Sequence, residues 1–290
     1  LFRSPEITDV LIPVWQQMAA HYQDRSEIIY FEILNEPHGI EAAEWNSIQG
    51  NVIDEIRKID QTHTIIVGGH DYNSYNSLDD MPIYSDDNLI YTFHFYDPFI
   101  FTHQGASWTD PSMVPLANVP FPYIASEMPA FPVELEDTWV EYNFNDYQNH
   151  GTIGSVQNLL DIPADFQSTN NLPLFCGELG VLNFNSENDD RVFWYNIVTD
   201  YLIQKNIPWT MWDYQGGFGL FEKDSYEMFD HDLNVPLLEA IGFTVPPQSE
   251  FKIVADSAAI PIYLDYVAQK IDFNSWYDLA KIDYYNDNST

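Results

Sequence analysis

Two glutamates, Glu36 and Glu178, each follow a short apolar run, and a pair of facing carboxyls is the minimum equipment for splitting a glycosidic bond. Glu36 closes the run 27–34 and is followed at once by Pro37, while Glu178 closes the run 172–177. Both runs are rich in branched and aromatic residues and are too short for a typical helix, so we predict two buried strands. Sites of α/β proteins form at the carboxyl ends of parallel strands. We therefore expect the two carboxyls to face each other.

The alternative for a single glutamate at a strand end is a solvated surface residue. Gly177 and Gly180 flank Glu178 and permit close backbone approach. His94 and Tyr96 fall on the same side of a third predicted strand, near its end, because side chains alternate with a period of two. These neighbouring residues favour a catalytic site over a solvated surface position, although His94 taken alone is more often a hydrogen-bonded core histidine.

Charge and composition exclude several classes of partner and cofactor. The net charge is −35, from 10 basic and 45 acidic residues, which argues against nucleic acid and anionic lipid and favours a neutral partner. Cys176 is the only cysteine, so an internal disulfide or a cysteine-based zinc site is excluded. No run is long and apolar enough to cross a membrane. His63, His70, His150 and His231 lack mutual ligand spacing, so we predict no catalytic metal and no other cofactor.

Hydrophobic periodicity alternates between strands and helices along most of the chain. It predicts helices over 5–22, 41–59, 152–168, 189–205 and 235–241, and strands over 27–34, 64–67, 89–96, 174–178 and 208–213. Pro13 predicts a kink or a later start of the first helix, and 97–150 reads as a long irregular stretch. The alternation predicts an α/β fold with a parallel sheet, and the polar strand ends favour a barrel of the TIM type. Pro246-Pro247 marks a boundary between a catalytic domain, 1–245, and a segment 246–290 of different character.

The motifs, taken in order, resemble glycoside hydrolase family 5, a cellulase-like family of retaining (β/α)8 glycosidases. The matching pieces are Asn35-Glu36-Pro37, His94-Phe95-Tyr96, Gly177-Glu178 and Trp212, and the resemblance spans about residues 1 to 243. In the family these motifs follow the fourth, sixth, seventh and eighth strands. The resemblance therefore implies an incomplete (β/α)8 TIM barrel with strands 4–8 present and strands 1–3 missing. The family's arginine after strand 2 and histidine near strand 3 have no counterpart here.

The same resemblance implies a role for each matching residue. Glu36 would be the general acid/base and Glu178 the nucleophile; Asn35 would hold the sugar 2-hydroxyl, His94 would be the active-site histidine, Tyr96 would hydrogen-bond the nucleophile, and Trp212 would form the floor under the sugar. From the residues alone, Trp212 is equally well a core residue, and a different partner for the Tyr96 hydroxyl stays open. His103 and Trp108 follow the His94 strand directly, and we predict that they bind sugars beyond the cleavage point.

The sequence thus predicts a secreted, monomeric, retaining endo-glycosidase that cuts a neutral β-1,4-linked glucan through a covalent glycosyl-enzyme. A β-mannanase and a hydrolase of xyloglucan or mixed-linkage glucan are the enzymatic alternatives. A non-catalytic glycan-binding protein on the same scaffold is the alternative from another class. In the segment 246–290, Ile262-Tyr263 and the aromatic stretch 273–288 favour the start of a β-rich carbohydrate-binding module.

Overall fold

The computed structural model describes residues 7–249, and within them helices and strands alternate. The elements in chain order are α1 (Ile7–Tyr22), β1 (Phe31–Glu32), α2 (Ala42–Arg57), β2 (Ile65–Gly68), β3 (Leu89–Phe95), α3 (Phe99–Thr102), α4 (Trp139–Asn145), α5 (Tyr147–His150), α6 (Ile153–Asn170), β4 (Leu174–Leu179), α7 (Asn188–Gln204), β5 (Trp209–Met211) and α8 (Val235–Ala240), with 3-10 turns at Tyr75–Asp80 and Val133–Leu135. They all belong to one compact unit that ends at Pro247. The predicted module lies outside the described residues from position 250 onward, and the division into domains 1–245 and 246–290 stays a prediction.

The five strands form one parallel sheet in the order β1-β2-β3-β4-β5, curled into half of a barrel. Phe31 pairs with Ile65, and Ile65 pairs with Leu89, so neighbouring strands run in step. All five carboxyl ends therefore lie along one rim, as the predicted α/β fold requires.

Side chains alternate across this sheet between an outer face that packs against helices and an inner face that lines the half-barrel. Phe31, Phe93 and Cys176 point outward and are no more than 2% exposed within the main hydrophobic core. Glu32 and His94 belong to the opposite, inner set. The outer face thus supplies the packing energy, and the inner face is left for polar groups.

Tryptophans from three helices tie those helices to the ends of the strands. In each case the buried indole nitrogen donates to a backbone carbonyl near a strand exit. The pairs are Trp15 with Ile33 at 3.0 Å, Trp45 with Gly68 at 2.8 Å, and Trp194 with Asp97 at 2.9 Å. Each bond satisfies a carbonyl that the strand ladder leaves free, and so fixes the rim from outside.

Several element boundaries differ from the predicted ones. The ladder of the first strand is only Phe31–Glu32 instead of 27–34, and β5 ends at Met211, before Trp212. The helix with Pro13 begins at Ile7, so a start after Pro13 was wrong. The stretch 97–150 is not uniformly irregular, because it holds three short helices; α4 is initiated by Thr138, whose hydroxyl accepts from the Val140 amide.

None of the helices within residues 7–249 has both the length and the hydropathy that a membrane span requires.

Candidate active site

Glu36 lies four residues after the end of β1 and has an unusual backbone conformation. Its φ is +49°, in the left-handed region that residues other than glycine seldom occupy and that is concentrated at functional sites. The ring nitrogen Nδ1 of His38 lies 2.8 Å from the Glu36 carbonyl, and the Tyr72 amide donates to the Pro37 carbonyl at 3.0 Å. His38 also stacks on Tyr72 with ring centroids 4.3 Å apart. The turn that carries Glu36 is therefore held by the loop after β2.

Glu178 lies near the end of β4, where the pairing with β3 changes register next to Gly177. A Cβ at Gly177 would approach the Thr92 hydroxyl to 2.7 Å and His94 Nε2 to 3.3 Å, so only glycine fits without a shift. A Cβ at Gly180 would lie 2.7 Å from the Trp212 carbonyl. The predicted close backbone approach is thus confirmed at Gly180, whereas at Gly177 the close neighbours are the side chains of Thr92 and His94.

His94 lies between the two glutamates and contacts both of them. Its Nδ1 is 2.8 Å from Glu36 Oε1 and 3.4 Å from Glu178 Oε2. One ligand atom from each of the three residues lies within 4.8 Å of the others. The carboxyls that the sequence places 142 positions apart thus meet at one point of the rim.

Tyr96 supplies a second partner for Glu178, since its hydroxyl donates to Glu178 Oε2 at 2.7 Å. Burial, with the negative charge of Glu178 beside it, raises the pKa of Tyr96 far above its usual value, so the hydroxyl keeps its proton. Burial also raises the pKa of Glu178, and His94 and the Tyr96 hydrogen bond oppose that shift. Glu36 and Asp213 raise it further by charge repulsion.

The compact group of Glu36, His94 and Glu178 would also fit around a metal ion. The described residues add no fourth side chain to this group of possible ligands, and the prediction that no metal takes part stays a prediction.

His103 and Trp108 form an aromatic wall beside Tyr96. The rings of His103 and Tyr96 meet edge to face with their centroids 5.1 Å apart. The Phe218 ring packs against Tyr96, His103 and Trp108, with centroid distances of 5.9, 5.5 and 6.2 Å. Burial lowers the pKa of His103 to about 3, so its ring is neutral at neutral pH. Trp108 is 58% exposed and presents its ring to solvent.

The two remaining predicted residues lie at strand exits. Asn35 is exposed and directly precedes Glu36. Trp212 follows β5 with its amide bonded to the Leu179 carbonyl at 2.9 Å, and it is 47% exposed. The core alternative for Trp212 was therefore wrong, and Trp212 stands beside the strand that carries Glu178.

Three residues of this region were missed in the sequence. Glu32 lies on the inner face four positions before Glu36, and its pKa is raised because the surrounding protein displaces water from the carboxyl; His94 opposes this shift, and Glu178 and Glu36 add to it. Strand alternation was a signal that could have found Glu32. Phe218 belongs to a segment that reads as a flexible glycine-rich loop. Asp213, whose negative charge raises the pKa of Glu178, had no signal in the sequence.

A parallel half-barrel with paired carboxyls at the carboxyl ends of its strands defines an α/β protein with a site of the glycosidase type. The chain belongs to the cellulase family, glycosyl hydrolase family 5, because the sequence model of that family matches residues 4–217. The resemblance that the motifs indicated is thereby confirmed.

Similar proteins are endoglucanases. The chain is 31% identical over 230 residues to Endoglucanase 3 of Fibrobacter succinogenes, covering 76% of this chain and 35% of that protein. It is 29% identical over 236 residues to Endoglucanase C of Acetivibrio thermocellus, covering 80% and 65%. The crystal structure of endoglucanase Cel5A from Thermotoga maritima superposes with a TM-score of 0.67 at 26% identity, covering 83% and 68%. The chain thus spans between about a third and two thirds of the length of these curated relatives.

Proposed function

We propose that this chain carries the reacting groups of a retaining endo-β-1,4-glucanase, with Glu36 as general acid/base and Glu178 as nucleophile. The observation that carries the proposal is the proximity of the two carboxyls, whose oxygens approach within 4.8 Å beside a shared histidine. Retaining glycosidases hold their carboxyls about 5–5.5 Å apart, whereas inverting enzymes need room for a water between them.

In the first step Glu178 attacks the anomeric carbon while Glu36 gives its proton to the departing glycosidic oxygen. The carbon–oxygen bond of the leaving sugar breaks as the bond to Glu178 forms, which yields a covalent glycosyl-enzyme. In the second step the ionised Glu36 takes a proton from water, which displaces Glu178 from the sugar. His94 touches both carboxyls, and Tyr96 stabilises the ionised form of Glu178 between turnovers.

A neutral glucan is the substrate that charge and aromatic content support. A chain of net charge −35 repels anionic polymers, and the exposed rings of Trp108 and Trp212 offer apolar faces to sugars. We also propose that the enzyme is secreted, because a glucan polymer is too large to enter a cell, and that it acts as a monomer. A mannan is the second candidate, because Thermotoga maritima Cel5A, 25% identical over 83% of this chain with a TM-score of 0.68, has been solved with mannotriose.

We also propose that three further strands close the barrel. Within residues 7–249 the outer edges of β1 and β5 have no partner strand. An apolar groove of about 550 Å³ runs beside β5, lined by Trp209, Met211 and Ile241 among others. Three βα units, the portion of the family barrel that the sheet does not account for, would cover both edges.

Hydrolysis of hydroxyethyl cellulose, a neutral soluble glucan, tests the function. Wild type should release reducing ends, and Glu178→Gln should lose the chemical step by several orders of magnitude while still binding glucan. Proton NMR of the first products should show the β-anomer. Cleavage of mannan alone would overturn the glucanase assignment. If wild type and Glu178→Gln both bind glucan and neither hydrolyses it, the non-catalytic alternative is favoured.

A further inference from the structure

The aromatic wall of the site continues outward to Trp139, a residue of α4 far from either glutamate in sequence. Trp139 is 39% exposed, while the next residue, Val140, is fully buried and anchors the helix. The Trp139 indole nitrogen donates to the Asp110 carbonyl at 2.9 Å. This bond fixes the ring beside the loop that carries Trp108.

Ring contacts connect Trp139 to the nucleophile without a gap. Tyr96, which bonds Glu178, meets His103 at 5.1 Å, and Phe99 stacks on His103 at 3.9 Å with an interplanar angle of 11°. Trp139 then meets Phe99 at 5.8 Å. Phe99, Trp139 and Trp108 are between 37% and 58% exposed, so their rings are accessible from solvent.

We propose that Trp139 and Phe99 form an outer subsite that binds a sugar unit of a long neutral β-linked glycan, beyond the units held at Trp108. The inference rests on the proposed function and extends it to substrate length. Contiguous exposed aromatic surface that continues a binding cleft marks a ligand site. The rings offer apolar faces, and His103 beneath them is neutral, so the surface suits uncharged sugars.

Packing alone does not account for this exposure. The helix α4 already buries Val140 and caps itself through Thr138. Besides its ring contact with Phe99, the Trp139 side chain makes one described hydrogen bond, to Asp110, and Trp139→Phe removes that bond while keeping an aromatic ring. Comparing Trp139→Phe with Trp139→Ala therefore separates a ring that binds sugar from a side chain that only ties two loops.

The test compares a long and a short oligosaccharide, cellohexaose and cellotriose. For Trp139→Ala, kcat/KM should fall roughly three- to tenfold more for cellohexaose than for cellotriose, the size of one aromatic contact. Trp139→Phe should keep most of the wild-type preference for cellohexaose over cellotriose. Tyr142→Ala, one turn along the same helix and 72% exposed, is the matched control and should keep that preference in full.

Equal losses on both substrates, no loss on either, or equal effects of the alanine and phenylalanine variants would overturn the proposal. If wild type hydrolyses no glycan, the proposed function fails, and the subsite is judged by binding instead. Affinity electrophoresis in hydroxyethyl cellulose then decides: weaker retardation of Trp139→Ala than of Tyr142→Ala supports the subsite, and equal retardation refutes it.

Discussion

Replacing Tyr96 by phenylalanine removes one hydroxyl from the candidate nucleophile and leaves the ring contacts in place. The lost hydrogen bond is 2.7 Å long and ends on an ionisable carboxyl. A hydrogen bond to a charged group contributes about 1.5–3 kcal/mol, and one pKa unit corresponds to about 1.4 kcal/mol. The loss would raise the pKa of Glu178 and move the acidic limb of the activity profile up by about 1 to 2 pH units. Since His94, at 3.4 Å, remains as a second partner of Glu178, we expect the lower end of that range.

The pH dependence of kcat/KM on a neutral cello-oligosaccharide measures this shift. Glu178 must be ionised to attack, so a higher pKa moves the acidic limb of the profile to higher pH. Tyr75→Phe is the matched control, because it removes a tyrosine–carboxylate bond of 2.8 Å to Asp97 outside the site. An acidic limb that stays in place, or that moves equally in the control, would refute the reasoning.

Four further changes test the site and the fold. Glu32→Gln removes a negative charge near both catalytic carboxyls, so the acidic limb should move to lower pH; an unmoved limb would mean that Glu32 is neutral throughout the assayed range. Gly177→Ala should lower kcat at least tenfold, because the new Cβ would lie 2.7 Å from the Thr92 hydroxyl and 3.3 Å from the His94 ring and would displace both, and unchanged kinetics would contradict this. Trp194→Phe removes the donor to the part-buried Asp97 carbonyl and should cost about 1 kcal/mol in the free energy of urea unfolding; no change would show that water replaces the indole. EDTA should not reduce hydrolysis, and a loss that added metal restores would establish a metal role.

The sequence reveals best what depends on local pattern. Strand runs that end in Glu36 and Glu178 are visible as apolar stretches stopped by proline or glycine, and the helices around them follow the helical period. Strand length was overestimated in the first case, because β1 is an edge strand in the described sheet and only Phe31 and Glu32 join its ladder. An apolar run shows what can be buried, whereas a ladder also needs a partner of matching length.

Residues that act through distant contacts were harder to find. Phe218 sits in a stretch of glycines that predicts a flexible turn, yet its ring packs against Tyr96, His103 and Trp108. Its partners come from a loop more than 100 positions earlier, and no local period links the two segments. Trp139 escaped for the same reason, since its neighbours Phe99 and Asp110 are joined to it only by the fold.

The geometry of the carboxyl pair depends on elements that the described sheet already contains. Glu36 is fixed by the loop after β2 and by His94 of β3. Glu178 is fixed by β4, by the same His94, and by Tyr96, which directly follows β3. Three strands that close the barrel on the opposite side would therefore change the separation of the carboxyls little. They would change the water around Glu32 and Glu178 much more, because both line the inner face that the new strands would cover. Closing the barrel should accordingly act on the pH profile, through greater burial of these two carboxyls, and not on the distance that permits double displacement.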